Sequence, residues 1–216
     1  MKFNQAAFDM IKRMPPFRPE LREANRKNLK TQTRRVADQG FWPTFEASSK
    51  ANTGVVAMEM MDGDIRSPYG YKTDLRYMSE PLYRGFGGVA YYQDDDVMVI
   101  NLLTGEPISW NWQVKVLSQR YMPKIAARTF KRYDFIRVER LRDITREDAR
   151  AEGVSNIWEW NNERDKKYFK LSVLNPYVAN FSVLWDDINA DRGFDWDSNP
   201  WVWVIGYHNE FEKVAE

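Results

Sequence analysis

The sequence predicts an α+β protein in which a strongly bent sheet or small β-barrel is flanked by helices. Three observations carry this reading. Short strand-like runs succeed one another from Leu75 to Val116, and longer ones stand at Thr129–Leu141 and Trp201–Tyr207. Amphipathic helical stretches occupy Pro19–Asn28 and the segment opened by Asn175-Pro176. A chain of 216 residues, 43% apolar and 15% aromatic, can fill a sizeable core. We therefore expect residues 1–18 to form an N-terminal arm or short helix, and 19–216 to form a single domain with a loop insertion at about 40–71.

Taken in order, Phe8 and Ile11 lie at helical spacing within Asn4–Met14, and Pro15-Pro16 stops that helix. Pro19 suits the first position of the next one, with Leu21 and Ala24 facing inward and Asn28 as a left-handed terminator. Gly40–Tyr71 has no sustained periodicity and reads as a long loop with one strand at 54–60. Strands are expected at Leu75–Leu82, Gly88–Tyr92, Val97–Leu102 and Trp110–Val116, with turn chemistry at Leu103–Pro107. Thr145 should cap a short helix with Asp148 in the capping-box position and Gly153 closing it, which puts Glu152 at the helix end. In the helix after Asn175-Pro176, Val178, Phe181, Trp185 and Ile188 make one apolar stripe.

Composition narrows the chemistry. The net charge of +1 leaves no global field, so any affinity for nucleic acid must come from local clusters. Zero cysteines exclude disulfides, thiolate zinc sites and a cysteine nucleophile. A single histidine, His208, reads as structural and cannot supply a histidine-rich metal centre, so no metal and no cofactor are expected. Asp187–Asp191 does not fit a calcium loop, because the glycine falls one place late and Ser198 stands where a glutamate is needed. Trp201/Trp203 read as core, whereas Trp158/Trp160 are open to a core or a stacking role. The longest apolar run, Trp201–Ile205, is too short to span a bilayer, and the N-terminus has no signal-peptide core. The expectation is a soluble cytoplasmic protein with no membrane partner.

The densest polar stretch is Lys30-Thr31-Gln32-Thr33-Arg34-Arg35. Alternating threonines favour an extended backbone, which puts Lys30, Gln32 and Arg34 on one face and Thr31, Thr33 and Arg35 on the other. A solvated basic edge strand is the plainer alternative to a ligand site.

These residues also carry a resemblance. Lys30–Arg35, Met122-Pro123 with Ala126-Ala127-Arg128, Val138-Glu139-Arg140-Leu141, Glu147-Asp148-Ala149 with Ala151-Glu152-Gly153, and Leu184-Trp185 with Asn199–Ile205 together resemble phage and prophage proteins of the ASCH (activating signal cointegrator homology) family. The resemblance runs over most of the chain and implies a PUA-like bent β-barrel whose cleft accepts RNA or a nucleobase. The chain departs from the family pattern at Tyr77–Leu82, which keeps Glu80 but loses an arginine and an aromatic, and at Asn28, where a glycine is common.

The resemblance implies a cleft around Lys30 that recognises RNA or a nucleobase or nucleoside, modified or not, with Thr31, Arg34, Arg35, Glu80, Lys124 and Arg128 as ligand or nucleic-acid contacts. One branch of the family is similar to amidohydrolases that deacetylate N4-acetylcytidine, and it implies catalytic roles for Lys30, Thr33 and Glu152. Lys30 would be nucleophile or base, Thr33 an oxyanion donor and Glu152 the proton carrier. A structural or host-protein-binding phage accessory role is the third expectation.

Overall fold

In a computed structural model, which describes residues 5–37, 67–156 and 163–212, the chain is a mixed α+β protein. It divides into two compact units. The first comprises Met1–Asn28, Pro68–Asp134 and Tyr207–Glu216, and the second Leu29–Ser67 and Phe135–Gly206. Among the described residues no helix is long and apolar enough to cross a membrane. The expected strand at 54–60, most of the expected loop at 40–71, and Trp158/Trp160 lie outside the described residues.

The elements are α1 (Gln5–Met10), β1 (Lys12–Arg13), α2 (Pro19–Arg26), β2 (Gln32–Val36), β3 (Leu75–Tyr77), β4 (Leu82–Arg84), β5 (Ala90–Tyr92), β6 (Val116–Leu117), β7 (Thr129–Arg140), α3 (Arg146–Ala151), α4 (Phe169–Leu174), α5 (Pro176–Asn189) and β8 (Trp201–Glu212). They make a five-stranded sheet of order β1-β3-β7-β8-β2 and a three-stranded sheet of order β5-β4-β6.

In the first unit, β1 pairs parallel with β3, and β3 pairs antiparallel with β7, Tyr77 opposite Phe130. The helix expected over Asn4–Met14 stops at Met10, because the chain behind it is drawn into the sheet: the Met14 amide donates to the Tyr77 carbonyl at 2.9 Å. Leu75–Leu82 is not one strand. The Glu80 amide donates to Met122 Sδ, and Pro81 has no N–H to give, so β3 ends at Tyr77 and β4 starts afresh in the small sheet. Val97–Leu102 is likewise reduced to isolated bridges, including Ile100 with Pro107, and of Trp110–Val116 only Val116 is in a strand, β6. Pro107 cannot donate to a continuing ladder.

Helix α2 also departs from its amphipathic reading. Leu21 and Ala24 are half-buried, and the buried residues are Arg22 and Asn25. The surface that α2 covers is polar: both oxygens of the Asp94 carboxylate accept from Arg22 at 2.7 Å. Asn28 does adopt the left-handed conformation, with φ 55°, and ends this segment.

In the second unit, β2 pairs antiparallel with β8 from Gln32 opposite Gly206 to Val36 opposite Val202. Asn175 caps α5 by accepting from the Val178 amide, with Pro176 at the first position, as the sequence indicates. Val178, Phe181 and Trp185 of that helix are buried, each contributing about 1.5–3 kcal/mol by leaving water. They pack with Trp196, Val202 and Val204, while Ile188, at the stripe's end, is only half-buried. Trp203 is fully in the core, whereas Trp201 is half-buried under the Arg140 guanidinium, 4.3 Å from its ring centre.

Candidate functional site

Helix α3 fixes one half of the site. The Thr145 hydroxyl accepts from the Asp148 amide at 3.1 Å, and the Asp148 carboxylate accepts from the Thr145 amide, a complete capping box. At the other end Gly153 takes φ 85°, a conformation that costs glycine nothing, and terminates the helix. Glu152 is therefore held at the C-cap, where its own carbonyl has no partner within the helix.

Strand β2 supplies the other half. The Thr31 amide donates to the Ala151 carbonyl at 2.8 Å and ties the start of the strand to the end of α3. Lys30, only 1% exposed, then donates from Nζ to the Glu152 carbonyl at 2.8 Å and to Glu152 Oε2 at 2.7 Å. One ammonium thus satisfies the helix end and pairs with the carboxylate.

Arg34 extends the cluster. Its NH1 donates to Glu152 Oε1 at 3.1 Å, its Nε and NH2 to Glu139 Oε1 at 3.1 and 2.5 Å, and its NH2 lies 3.3 Å from Asp148 Oδ2. Arg137 closes it from β7, donating to Glu139 Oε2 at 2.8 Å and to Asp148 Oδ1 at 3.1 Å. Lys30, Arg34 and Arg137 against Glu139, Asp148 and Glu152 balance three charges with three. The Phe181 ring of α5 stands 5.7 Å from the Arg34 guanidinium carbon.

Burial sets the electrostatics. Desolvation pushes the Lys30 ammonium below its ordinary value, Arg35 and Arg34 push the same way, and the Glu152 carboxylate opposes them without cancelling them. For Asp148, burial pushes the carboxyl up, but Arg34 and Arg137 outweigh it and hold it below the usual range. Burial likewise opposes the Arg137 charge, yet Glu139 and Asp148 keep its guanidinium raised. The result is an amine that loses its proton more readily than an ordinary lysine, in direct contact with the Glu152 carboxylate.

The expected site residues divide into separate groups. Lys30, Arg34 and Glu152 are brought together, although 122 positions separate the first from the last. Thr33 is buried, paired with Ile205 and on the strand face opposite Gln32 and Arg34, so it is not part of the Arg34 carboxylate cluster. Thr31 is half-buried and holds α3 by its backbone; Arg35 is half-buried opposite Trp203.

The remaining three belong to the first unit, where Glu80 and Arg128 share a cluster and Lys124 has other partners. Glu80, fully buried, accepts from Arg128 at 2.9 and 2.6 Å and from Arg26 at 2.9 Å. Arg128 also pairs with Asp95 at 2.8 Å and lies over the Tyr92 ring, 3.9 Å from its centre. Lys124 donates to the Phe8 and Asp9 carbonyls. Of the cations read as phosphate contacts, Arg34 and Arg128 are buried and paired with carboxylates, and Lys124 donates to backbone carbonyls.

Sequence reasoning missed Glu139 and Arg137 as parts of the site. Their spacing in β7, two apart and so on one face, was the available signal, but the strand it faces cannot be inferred from spacing. His208 is exposed and its Nδ1 lies 2.7 Å from Asp134 Oδ1, outside this cluster. Among the described residues no group of three His, Asp or Glu side chains is arranged to hold a metal ion. Comparison with protein-family models, curated proteins and solved structures gave no match.

Proposed function

We propose that this chain is an ASCH-like module of PUA-like fold that recognises a nucleobase or nucleoside at Lys30 and Glu152. The observation that carries the reading is the direct contact of Lys30 Nζ with the Glu152 carboxylate, both nearly buried. Such a pair offers a cation and a carboxylate side by side, matching the carbonyl and amino groups on the edge of a base such as cytosine. The commitment of Arg34 to three carboxylates favours a small, largely uncharged ligand there over a phosphate chain. The test is calorimetric titration of the purified chain with cytidine and N4-acetylcytidine. Saturable binding that Lys30→Met abolishes supports the reading, and binding indifferent to that change refutes it.

A second reading, N4-acetylcytidine amidohydrolase, is favoured by the lowered Lys30 basicity beside Glu152. In it the neutral Lys30 amine takes a proton from water, whose oxygen attacks the acetyl carbonyl carbon. The proton crosses the 2.7 Å contact to Glu152, which delivers it to N4 as the C–N bond breaks. Acetate and cytidine leave, and no external oxidant or reductant is needed. Thr33 is the least supported member of this scheme, given its place on the reverse face of β2. Release of free cytidine from N4-acetylcytidine is the assay, and its absence with binding intact would retire the enzymatic reading.

A further inference from the structure

We infer that the β4–β5 hairpin is a stacking contact for single-stranded nucleic acid, with Phe86 receiving a base and Arg84 and Lys115 facing phosphates. It stands apart from the Lys30–Glu152 reading and uses none of its residues.

Phe86 is 93% exposed, the most exposed large apolar side chain among the described residues. The sequence around it, Arg84-Gly85-Phe86-Gly87-Gly88, is built to keep it there. A Cβ at Gly85 would sit 2.1 Å from the Tyr91 ring, so the ring packs directly on the backbone before the tip. Gly87 and Gly88 take φ of 69° and 74°, which side-chain-bearing residues rarely adopt. A Cβ at Gly87 would meet nothing within 4 Å, so the tip projects into open space. Three glycines thus serve one turn whose only large side chain is turned away from the core.

Behind the tip the outer face of the small sheet is aromatic. Tyr83 pairs with Tyr91 on one side and Val116 on the other, and the two rings lie 5.8 Å apart. The Arg84 guanidinium reaches to 4.0 Å from where a Gly88 Cβ would stand, beside the tip, and Lys115 is next to β4, accepting the Arg84 amide on its carbonyl. Both side chains are exposed, and neither is in an ion pair among the described residues.

Charge decides what this surface fits. Arg22, Arg26 and Arg128 are spent on Asp94, Asp95 and Glu80, at the other end of the hairpin, where Asp96 accepts from the Tyr83 hydroxyl at 3.0 Å. Arg84 and Lys115, beside each other in the small sheet, are in no ion pair among the described residues. An exposed ring flanked by uncommitted cations suits a strand with π-faces and phosphates, because every base can stack and each phosphate takes one cation. A purely apolar protein partner would have no use for the flanking charges.

The experiment is fluorescence anisotropy of the full chain with a labelled single-stranded RNA of about 12 nucleotides, within the site sizes of single-strand binders. Phe86→Ala should weaken binding by about 5- to 150-fold, the cost of losing one stacked base, and Phe86→Trp should restore it. Joint Arg84→Gln and Lys115→Gln should lower the slope of log affinity against log salt by about 0.7 for each phosphate that is no longer neutralised. Because Phe86 touches little of the fold, circular dichroism should be unchanged. No binding by the parent, or Phe86→Ala binding within about twofold of it, would overturn the proposal. So would a self-association that Phe86→Ala abolishes while RNA affinity stays the same, since the tip would then be a protein contact.

Discussion

Lys30 and Glu152, brought to 2.7 Å across 122 positions of sequence, are joined twice, once through the glutamate side chain and once through its carbonyl. The helix end that Lys30 satisfies is thus the same point at which its charge meets a carboxylate.

Lys30→Arg separates the two uses of that contact. The variant keeps a cation but cannot present a neutral amine, because guanidinium stays protonated at accessible pH. We predict that it retains cytidine binding to within about tenfold and loses any turnover of N4-acetylcytidine. Equal loss of both would mean that Lys30 only positions the ligand.

Catalysis, if present, should carry the signature of a depressed lysine. Lys30 is held below 10.5 chiefly by desolvation, so kcat/KM should rise with pH through an inflection below that value. A profile flat from about pH 4 to about 10 would exclude Lys30 as the base.

The buried cluster should be sensitive to losing one member. Arg34 faces Glu139, Asp148 and Glu152, so Arg34→Gln leaves carboxylates without their counter-ion and should cost about 3–5 kcal/mol in urea unfolding. Had Arg34 been a solvated phosphate contact, the same change would cost less than about 0.5 kcal/mol.

Acid should act on the same cluster through Asp148. Its carboxyl titrates lower in the folded chain than its unfolded value of 3.8. Its stabilising contribution is therefore complete above that value and is lost as pH falls through the lower folded one. Asp148→Asn should flatten the loss of stability below about pH 4, as followed by thermal melts across an acid series. An unchanged acid limb would show that Arg34 and Arg137 do not hold this group.

Much of the framework is legible in the sequence because local chemistry dictates it. Thr145 with Asp148, Asn175 with Pro176, Asn28 and Gly153 each announce a boundary, and each stands where its cap or positive φ is expected. What stays hidden depends on neighbours remote in sequence. Nothing local to Pro19–Arg26 reveals that Asp94 and Asp95 wait for Arg22 and Arg26, so the apolar residues of α2 read misleadingly as its inner face. The same holds for Arg34 and Arg128, whose composition suggests phosphates and whose partners are carboxylates 105 and 48 positions away. The contact of Lys30 with Glu152 is likewise not supplied by spacing, because its two ends lie 122 positions apart.

The proposed ligand site at Lys30 and Glu152 stands or falls on binding. Its most direct test is calorimetric titration of N4-acetylcytidine into the parent chain and into Lys30→Met/Glu152→Gln. The double change removes one charge of each sign, and Arg34 keeps Glu139 and Asp148, so no lone charge is left buried. A ligand site there gives saturable binding by the parent and at least about a hundredfold weaker binding by a folded double variant. Equal affinity of the two proteins, or no binding by the parent, would contradict it.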